Sequence, residues 1–186
     1  MALTTTHINE LLEKCRHGDE RAQMKVYKKY SKAMYNVSLR IVKDQAEAED
    51  IMQECFLKAF NKLESFEGTS TFGAWLKKIV VNHSIGEYNK KLRVSVVPYN
   101  DQFKNTADDP EGIALEDEEH NPRVKMILKT MASLKENYRM ALTLHLIEGY
   151  DYEEICEILN ISYANCRTTI SRAKESLRTK LLSYES

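Results

Sequence analysis

Apolar residues recur along most of this chain at intervals of three and four, the spacing that gathers them on one face of an α-helix. Ile8, Leu11 and Leu12 mark a short first segment that Thr6 can cap. Ala22, Val26, Tyr30, Met34, Val37 and Ile41 form a second stripe, on a helix that begins near Asp19. A third helix opens at Asp44, with Glu47 three residues on completing a capping box, and carries Ala48, Ile51, Met52, Cys55, Ala59, Phe60 and Leu63. Residues 65–70 hold no such stripe and read as a loop. Ser70 or Thr71 then caps a fourth helix bearing Phe72, Trp75, Leu76, Ile79 and Val80, which fades through Gly86 into Lys90, Lys91, Leu92 and Arg93. The periodicity disappears over residues 94–120, where Pro98, Asp108-Asp109-Pro110, Gly112 and Glu116-Asp117-Glu118-Glu119 describe a flexible acidic linker. It resumes at Asn121-Pro122, an N-cap followed by proline at the first helical position.

The last block ends in the most informative pattern. Asp151 caps a short helix from Tyr152 to Leu159, and Glu154 stands at the capping-box position. Asn160-Ile161-Ser162 is a tight turn, and asparagine is among the few non-glycine residues that enter the left-handed region cheaply. Ser162 caps a further helix with Cys166, Ile170, Ala173 and Leu177 on its inner face. Two helices joined by so short a turn form a helix-turn-helix pattern. The outer face carries Arg167, Thr168, Ser171, Arg172 and Lys174, with Arg178 and Lys180 further along. Such a helix fits the major groove, where arginine pairs with the acceptor edge of guanine and Thr or Ser reach bases or phosphates. A basic helix face is more often simply solvated; the cap, turn and short helix before it favour DNA.

Composition agrees with an all-α protein. Of 186 residues, 42% are hydrophobic and 30% charged, and only six are Gly and three Pro, so long helices are easy and tight-turned sheets are not expected. The length suits one ordinary domain or two small ones. The net charge of −1 gives no hint of nucleic acid, but its distribution does. Residues 1–93 carry 16 Lys and Arg against 12 Asp and Glu, residues 94–121 one against eight, and residues 122–186 ten against eight. Two basic blocks flank an acidic stretch, and phosphate binding needs local positive charge rather than a positive total. The pattern predicts two small helical domains, 1–93 and 121–186, joined by an acidic linker, 94–120.

Cys15, Cys55, Cys156 and Cys166 include no CxxC pair and no histidine at metal-ligand spacing, so they read as small buried hydrophobes in a reducing compartment. No metal or cofactor is expected. The N-terminus lacks a basic start followed by an apolar run, and no apolar run approaches membrane-spanning length. A cytoplasmic protein without membrane insertion is the expectation. His7, His17, His83, His120 and His145 are scattered, and neither a Gly-rich phosphate loop nor a nucleophile–base pairing can be seen, so enzymatic activity is not expected.

The first block narrows the helix-turn-helix reading. Asp50-Ile51-Met52-Gln53-Glu54-Cys55-Phe56-Leu57-Lys58-Ala59-Phe60, then Phe66-Glu67-Gly68-Thr69-Ser70-Thr71-Phe72-Gly73-Ala74-Trp75-Leu76 and Ile79-Val80-Val81-Asn82, resemble region two of the extracytoplasmic-function (ECF) sigma factors of bacterial RNA polymerase. The block from Leu134 through Leu146 to Leu182 resembles their region four. The resemblance spans nearly the whole chain apart from the linker. It implies a region two-like helical bundle and a region four-like helix-turn-helix domain, with core RNA polymerase, promoter DNA and an anti-sigma factor as partners.

Three roles follow from the resemblance. Asp50, Gln53 and Glu54, which share a helix face, and Phe56 would dock on core polymerase; from spacing alone the same face could be a solvated one. Phe66, Gly68, Ser70 and Thr71 would form a pocket for an unstacked base of the −10 element, with Asn82 below it and Lys78 on the backbone; Lys77, Lys90, Lys91 and Arg93 are further phosphate candidates. Phe72 and Trp75 fit the core better than a DNA surface, and Phe66 fits either. Arg167, Thr168, Ser171, Arg172 and Lys174 would read the −35 element. The chain departs from the family at Gly86-Glu87, where relatives are more basic and leucine-rich and where an interruption of the fourth helix is expected. Cys166 replaces a common Val and Asn160 a common Gly. Two other classes stay open at this stage. A one-component helix-turn-helix regulator with an N-terminal ligand or dimerisation domain would bind duplex DNA without polymerase. An all-α interaction protein of a signalling cascade would bind a regulator without transcription.

Overall fold

The structure, a computed structural model, describes residues 2–94 and 121–183. The described residues contain helices and no strand, and the chain divides into two compact units, Met1–Val94 and Ser95–Ser186. The acidic segment expected as a linker lies outside the described residues, apart from Val94 at the end of a helix.

The first unit comprises α1 (Ala2–Arg16), α2 (Glu20–Val42), α3 (Gln45–Asn61) and α4 (Phe72–Val94), with a 3₁₀ turn at Leu63–Ser65. Helix α1 is under way from Ala2, so Thr6 lies inside it rather than capping it; nothing over residues 2–7 breaks a helix. Asp19 accepts from the amides of Arg21 and Ala22 and opens α2, as its place in the sequence predicts. Lys43 ends α2 in the left-handed conformation, φ 60°, and returns its amide to Leu39 O. Asp44 accepts from Glu47 N at 2.9 Å, but the box is only half formed: the Glu47 carboxylate pairs with Lys91 of α4 instead of turning back. An interhelical charge partner wins over an exposed backbone amide that water serves equally well.

The predicted stripes meet in one core. Val26, Ile41, Ala48, Cys55, Ala59, Leu76, Val80 and Val81 are fully buried, and α2 packs along both α3 and α4. The Ser84 and Ser38 hydroxyls lie 3.0 Å apart inside this core, so the polar groups buried between α2 and α4 satisfy each other. Helix α4 runs unbroken through Gly86, contrary to the expected interruption. One glycine costs a helix interior only about 1 kcal/mol, and the contacts of Ile85 and the Lys91–Glu47 pair outweigh it.

The second unit comprises α5 (Pro122–Ala132), α6 (Glu136–Leu142), α7 (Tyr152–Leu159) and α8 (Tyr163–Leu182). Asn121 caps α5 by accepting from Arg123 N, with Pro122 at the first turn as expected. Past α6 the chain widens into a π turn, Thr143–Ile147, closed by Glu148 N donating to Thr143 O at 3.0 Å. Asp151 and Glu154 form the full reciprocal box at 2.8 and 3.0 Å. Asn160 adopts φ 52°, ψ 52°, and Ser162 accepts from Asn165 N, so the turn and both caps of the helix-turn-helix stand where the residues put them.

Candidate nucleic-acid interface

Helix α8 packs on α5, α6 and α7 through Cys166, Ile170, Ala173 and Leu177, all buried. That leaves Arg167, Thr168, Ser171, Arg172 and Lys174 exposed. The Thr168 hydroxyl donates to Ala164 O at 2.8 Å, so what it offers outward is its methyl group and an oxygen lone pair. Arg178, further along, pairs with Glu175 at 2.8 Å. A feature not anticipated from the sequence is an aromatic row leading to the start of this helix. The rings of His145 and Tyr152 lie 5.1 Å apart, and those of Tyr152 and Tyr163 6.1 Å apart, with Tyr163 half exposed. Burial raises the Cys166 thiol to about 11, helped by a hydrogen bond with Cys156.

The loop at residues 66–71 joins the 3₁₀ turn to α4. Its first residue, Phe66, is buried, its ring 5.7 Å from Phe72 and 5.3 Å from Trp75. Phe72 is buried and Trp75 half-buried, so the three rings make an aromatic floor under the loop. Glu67, Gly68, Thr69, Ser70 and Thr71 are exposed above it. Gly68 takes φ +74°, a conformation that other L-residues adopt only with strain. Thr71, not Ser70, caps α4, its hydroxyl accepting from Ala74 N at 3.3 Å. Gly73 permits a close approach: a Cβ there would stand 3.1 Å from the Tyr30 ring, which itself packs edge-on against Phe72.

From Thr71 onward, Trp75, Lys78, Asn82, Asn89 and Arg93 follow at spacings of three, four and seven and occupy one stripe of α4. All but Trp75 are exposed. Lys90 and Lys91, which the sequence offered for phosphates, lie off this stripe and are engaged with Glu87 and Glu47. The Lys90 hydrogen bond holds the Glu87 carboxyl below the usual range.

On α3, Asp50, Gln53 and Glu54 are exposed on one face. Leu57 joins them, 65% exposed at one turn's spacing from Gln53 and Glu54. Reading its polar neighbours alone passed over it, although an apolar residue on a polar face is a signal in itself. Phe56 points the other way. It is 2% exposed and packs edge-on against Tyr27 at 4.9 Å, so it supports α3 from within and presents nothing to a partner. Its position, 100° per residue along the helix, puts it beside Met52 and Ala59 in the core rather than on the Asp50 face. Glu54 accepts from Lys58 at 3.2 Å and lies 3.0 Å from His83 Nε2; Lys58, then His83, hold its carboxyl below the usual range. Beneath this face, burial pushes the Cys55 thiol up to about 12.

The fold and these surfaces define a class first: an all-α, two-unit protein whose second unit presents a basic helix-turn-helix. Comparison with known proteins makes it specific. Residues 26–94 match the family model for sigma-70 region 2, and residues 125–177 that for sigma-70, region 4. The chain is 32% identical over 183 residues to the RNA polymerase sigma-H factor of Pseudomonas aeruginosa, covering 94% of each protein. It is 29% identical over 181 residues to the ECF RNA polymerase sigma-E factor of Escherichia coli K12, covering 92% of each. A sigma factor RpoE from Bartonella quintana, solved in complex with the anti-sigma factor NepR, shares the fold at a TM-score of 0.53 and 22% identity, over 85% of this chain and 95% of that one. The chain belongs to the ECF group of the sigma-70 family, RNA polymerase sigma factors, which initiate transcription and are not enzymes. Among the described residues no helix is long and apolar enough to cross a membrane.

Proposed function

We propose that this sigma factor divides its work among three surfaces. The α3 face of Asp50, Gln53, Glu54 and Leu57 docks on core polymerase, the two carboxylates meeting basic side chains and Leu57 giving an apolar centre. The loop 66–71 and the outward stripe of α4 open and read the −10 element. Helix α8 reads the −35 element in the major groove through Arg167, Thr168, Ser171, Arg172 and Lys174. Residues 1–93 form the first working domain, 121–186 the second, and 94–120 tether them. Extended chain spans at most roughly 3.3–3.6 Å per residue, enough for the two domains to reach separate promoter elements. The protein works in the cytoplasm, and the complex of the Bartonella relative with NepR favours an anti-sigma factor as its regulator.

The observation that carries the reading is the loop 66–71. Its exposed residues stand above three packed rings and lead directly into the Lys78–Asn82–Asn89–Arg93 stripe. The buried Phe66 and Phe72 rings hold the loop's shape, the half-buried Trp75 is the ring still partly open to a base, and phosphate donors stand beside it, a combination that suits an unpaired strand better than a duplex. Permanganate footprinting of the holoenzyme on the DNA upstream of this protein's own gene tests it. Unpaired thymines about one helical turn upstream of the start site are expected, and their loss on Lys78→Ala with Asn82→Ala. A fully paired −10 region in a complex bound at −35 would contradict it.

A further inference from the structure

Helix α1 has no part in the three surfaces above, yet it touches one of them. A cleft of about 270 Å³ separates α1 from the loop, lined on one side by Asn9, Leu12, Glu13 and Arg16 and on the other by residues 66–68. Arg16 spans it. One guanidinium nitrogen meets the Glu13 carboxylate at 2.5 Å, and the other donates to the backbone carbonyl of Phe66 at 3.2 Å. Fifty residues separate the ends of that second bond. We infer that Arg16 is a positioning residue for the base-reading loop: it fixes the loop's entry to α1 and so sets the width of a cleft that receives one unpaired base of the −10 element.

The inference rests on the proposed role of the loop and adds its second wall. Residues 67–71 are exposed, and Gly68 at φ +74° gives the backbone freedom there. Such a segment holds one conformation only if its ends are fixed. The far end is fixed by the Thr71 cap and the near end by the buried Phe66 ring and by Phe66 N–H donating to Leu63 O at 3.1 Å, which holds the peptide before Phe66 but not the carbonyl after it. A ring can pivot about its own axis, so the ring alone does not orient the carbonyl and the residues that follow; the bond from Arg16 does. Glu13 holds the guanidinium ready for it, since a planar fork serves two acceptors at once where a lysine ammonium serves them as a loose point charge. The cleft matches one planar base better than a larger ligand. Its α1 wall offers the Asn9 amide and the Glu13 carboxylate, groups that hydrogen-bond a base edge.

The test uses holoenzyme made with full-length protein and fork-junction promoter DNA carrying a single abasic site at each −10 position in turn. The wild type loses affinity most at one position, the base that occupies the cleft. Arg16→Ala lowers affinity for the intact fork by roughly ten-fold, the cost of ordering on binding a loop that Arg16 no longer holds in place. It adds no further loss at that one position and the full loss elsewhere. Arg16→Lys recovers part of the affinity at most. Core binding and −35 duplex binding stay at wild-type values, and the variant is fully folded at the assay temperature, which a general destabilisation of the first unit would not allow. If the wild type is position-sensitive and Arg16→Ala is unaltered, or weakens every abasic template by the same factor, the inference falls and the loop's reading stands. If the wild type is sensitive at no position, the loop's reading falls and the inference with it.

Discussion

Arg172 is exposed in the third turn of a helix whose opposite face is wholly buried, and it carries the sharpest residue-scale expectation. Arg172→Ala should cost about 1–3 kcal/mol at a matched −35 duplex and relax base preference there. Equal loss on scrambled duplex would make it a phosphate contact only. Cys55 gives a pH dependence. Burial raises its thiol from the ordinary value to about 12, so the folded protein holds that proton more tightly than the unfolded chain. Its contribution is whole below an ordinary thiol's value and lost as pH rises toward about 12. The fluorescence of the single tryptophan, Trp75, followed in urea, should show the first unit weakening across that window, and Cys55→Ala should flatten the decline. A slope unchanged in the variant would assign the decline to other groups. Faces set by helical periodicity were legible residue by residue: the inner stripe of α8 is buried as spaced. Phe56 and Arg16 were not. The stretch resembling the family placed Phe56 among docking residues while its helical angle places it in the core, and no local spacing announces a hydrogen bond to a residue fifty positions away.

Elements were more legible than residues because their ends are written in short-range chemistry. The caps at Asp19, Asn121, Asp151 and Ser162 all form. The half-formed box at Asp44 was not foreseeable, since Glu47 answers to Lys91, which α4 brings in from 44 residues away. Nor was the π turn after α6 foreseeable: Glu148 N–H closes it on Thr143 O, Gly149 follows at φ +78°, and Tyr150 N–H returns to Leu144 O, a pattern no local spacing announces. Gly86 misled for the opposite reason: local propensity advised a break that tertiary packing overrides. That makes it a useful site. Its surroundings are open, with nothing within 4 Å of an added Cβ, and its φ is ordinary. Gly86→Ala should therefore stabilise the first unit by about 0.5–1 kcal/mol in urea melts. No gain, or a loss, would show that α4 is bent or frayed there. In the second unit, Asp151→Ala should lose about 1 kcal/mol by removing the cap of α7, read as a lower melting temperature of that unit by circular dichroism.

At the scale of the whole molecule, separate surfaces on two units should fail separately. Glu54→Lys reverses the charge of an exposed carboxylate whose local ion pair contributes little to stability. It should weaken binding to core polymerase and leave folding and −35 duplex binding unchanged. Arg172→Ala should do the converse. The two-part organisation was legible because composition changes abruptly at the acidic segment, where apolar periodicity stops. The proposed division of labour rests on resemblance, since a polar helix face does not declare its partner. The most direct test is therefore run-off transcription with purified core polymerase and this protein on the DNA upstream of its own gene. A discrete start site that requires the protein, abolished by Glu54→Lys and weakened by Arg172→Ala, is the predicted result. Folded protein that neither binds core nor directs initiation in the absence of any inhibitor would contradict the assignment of these surfaces.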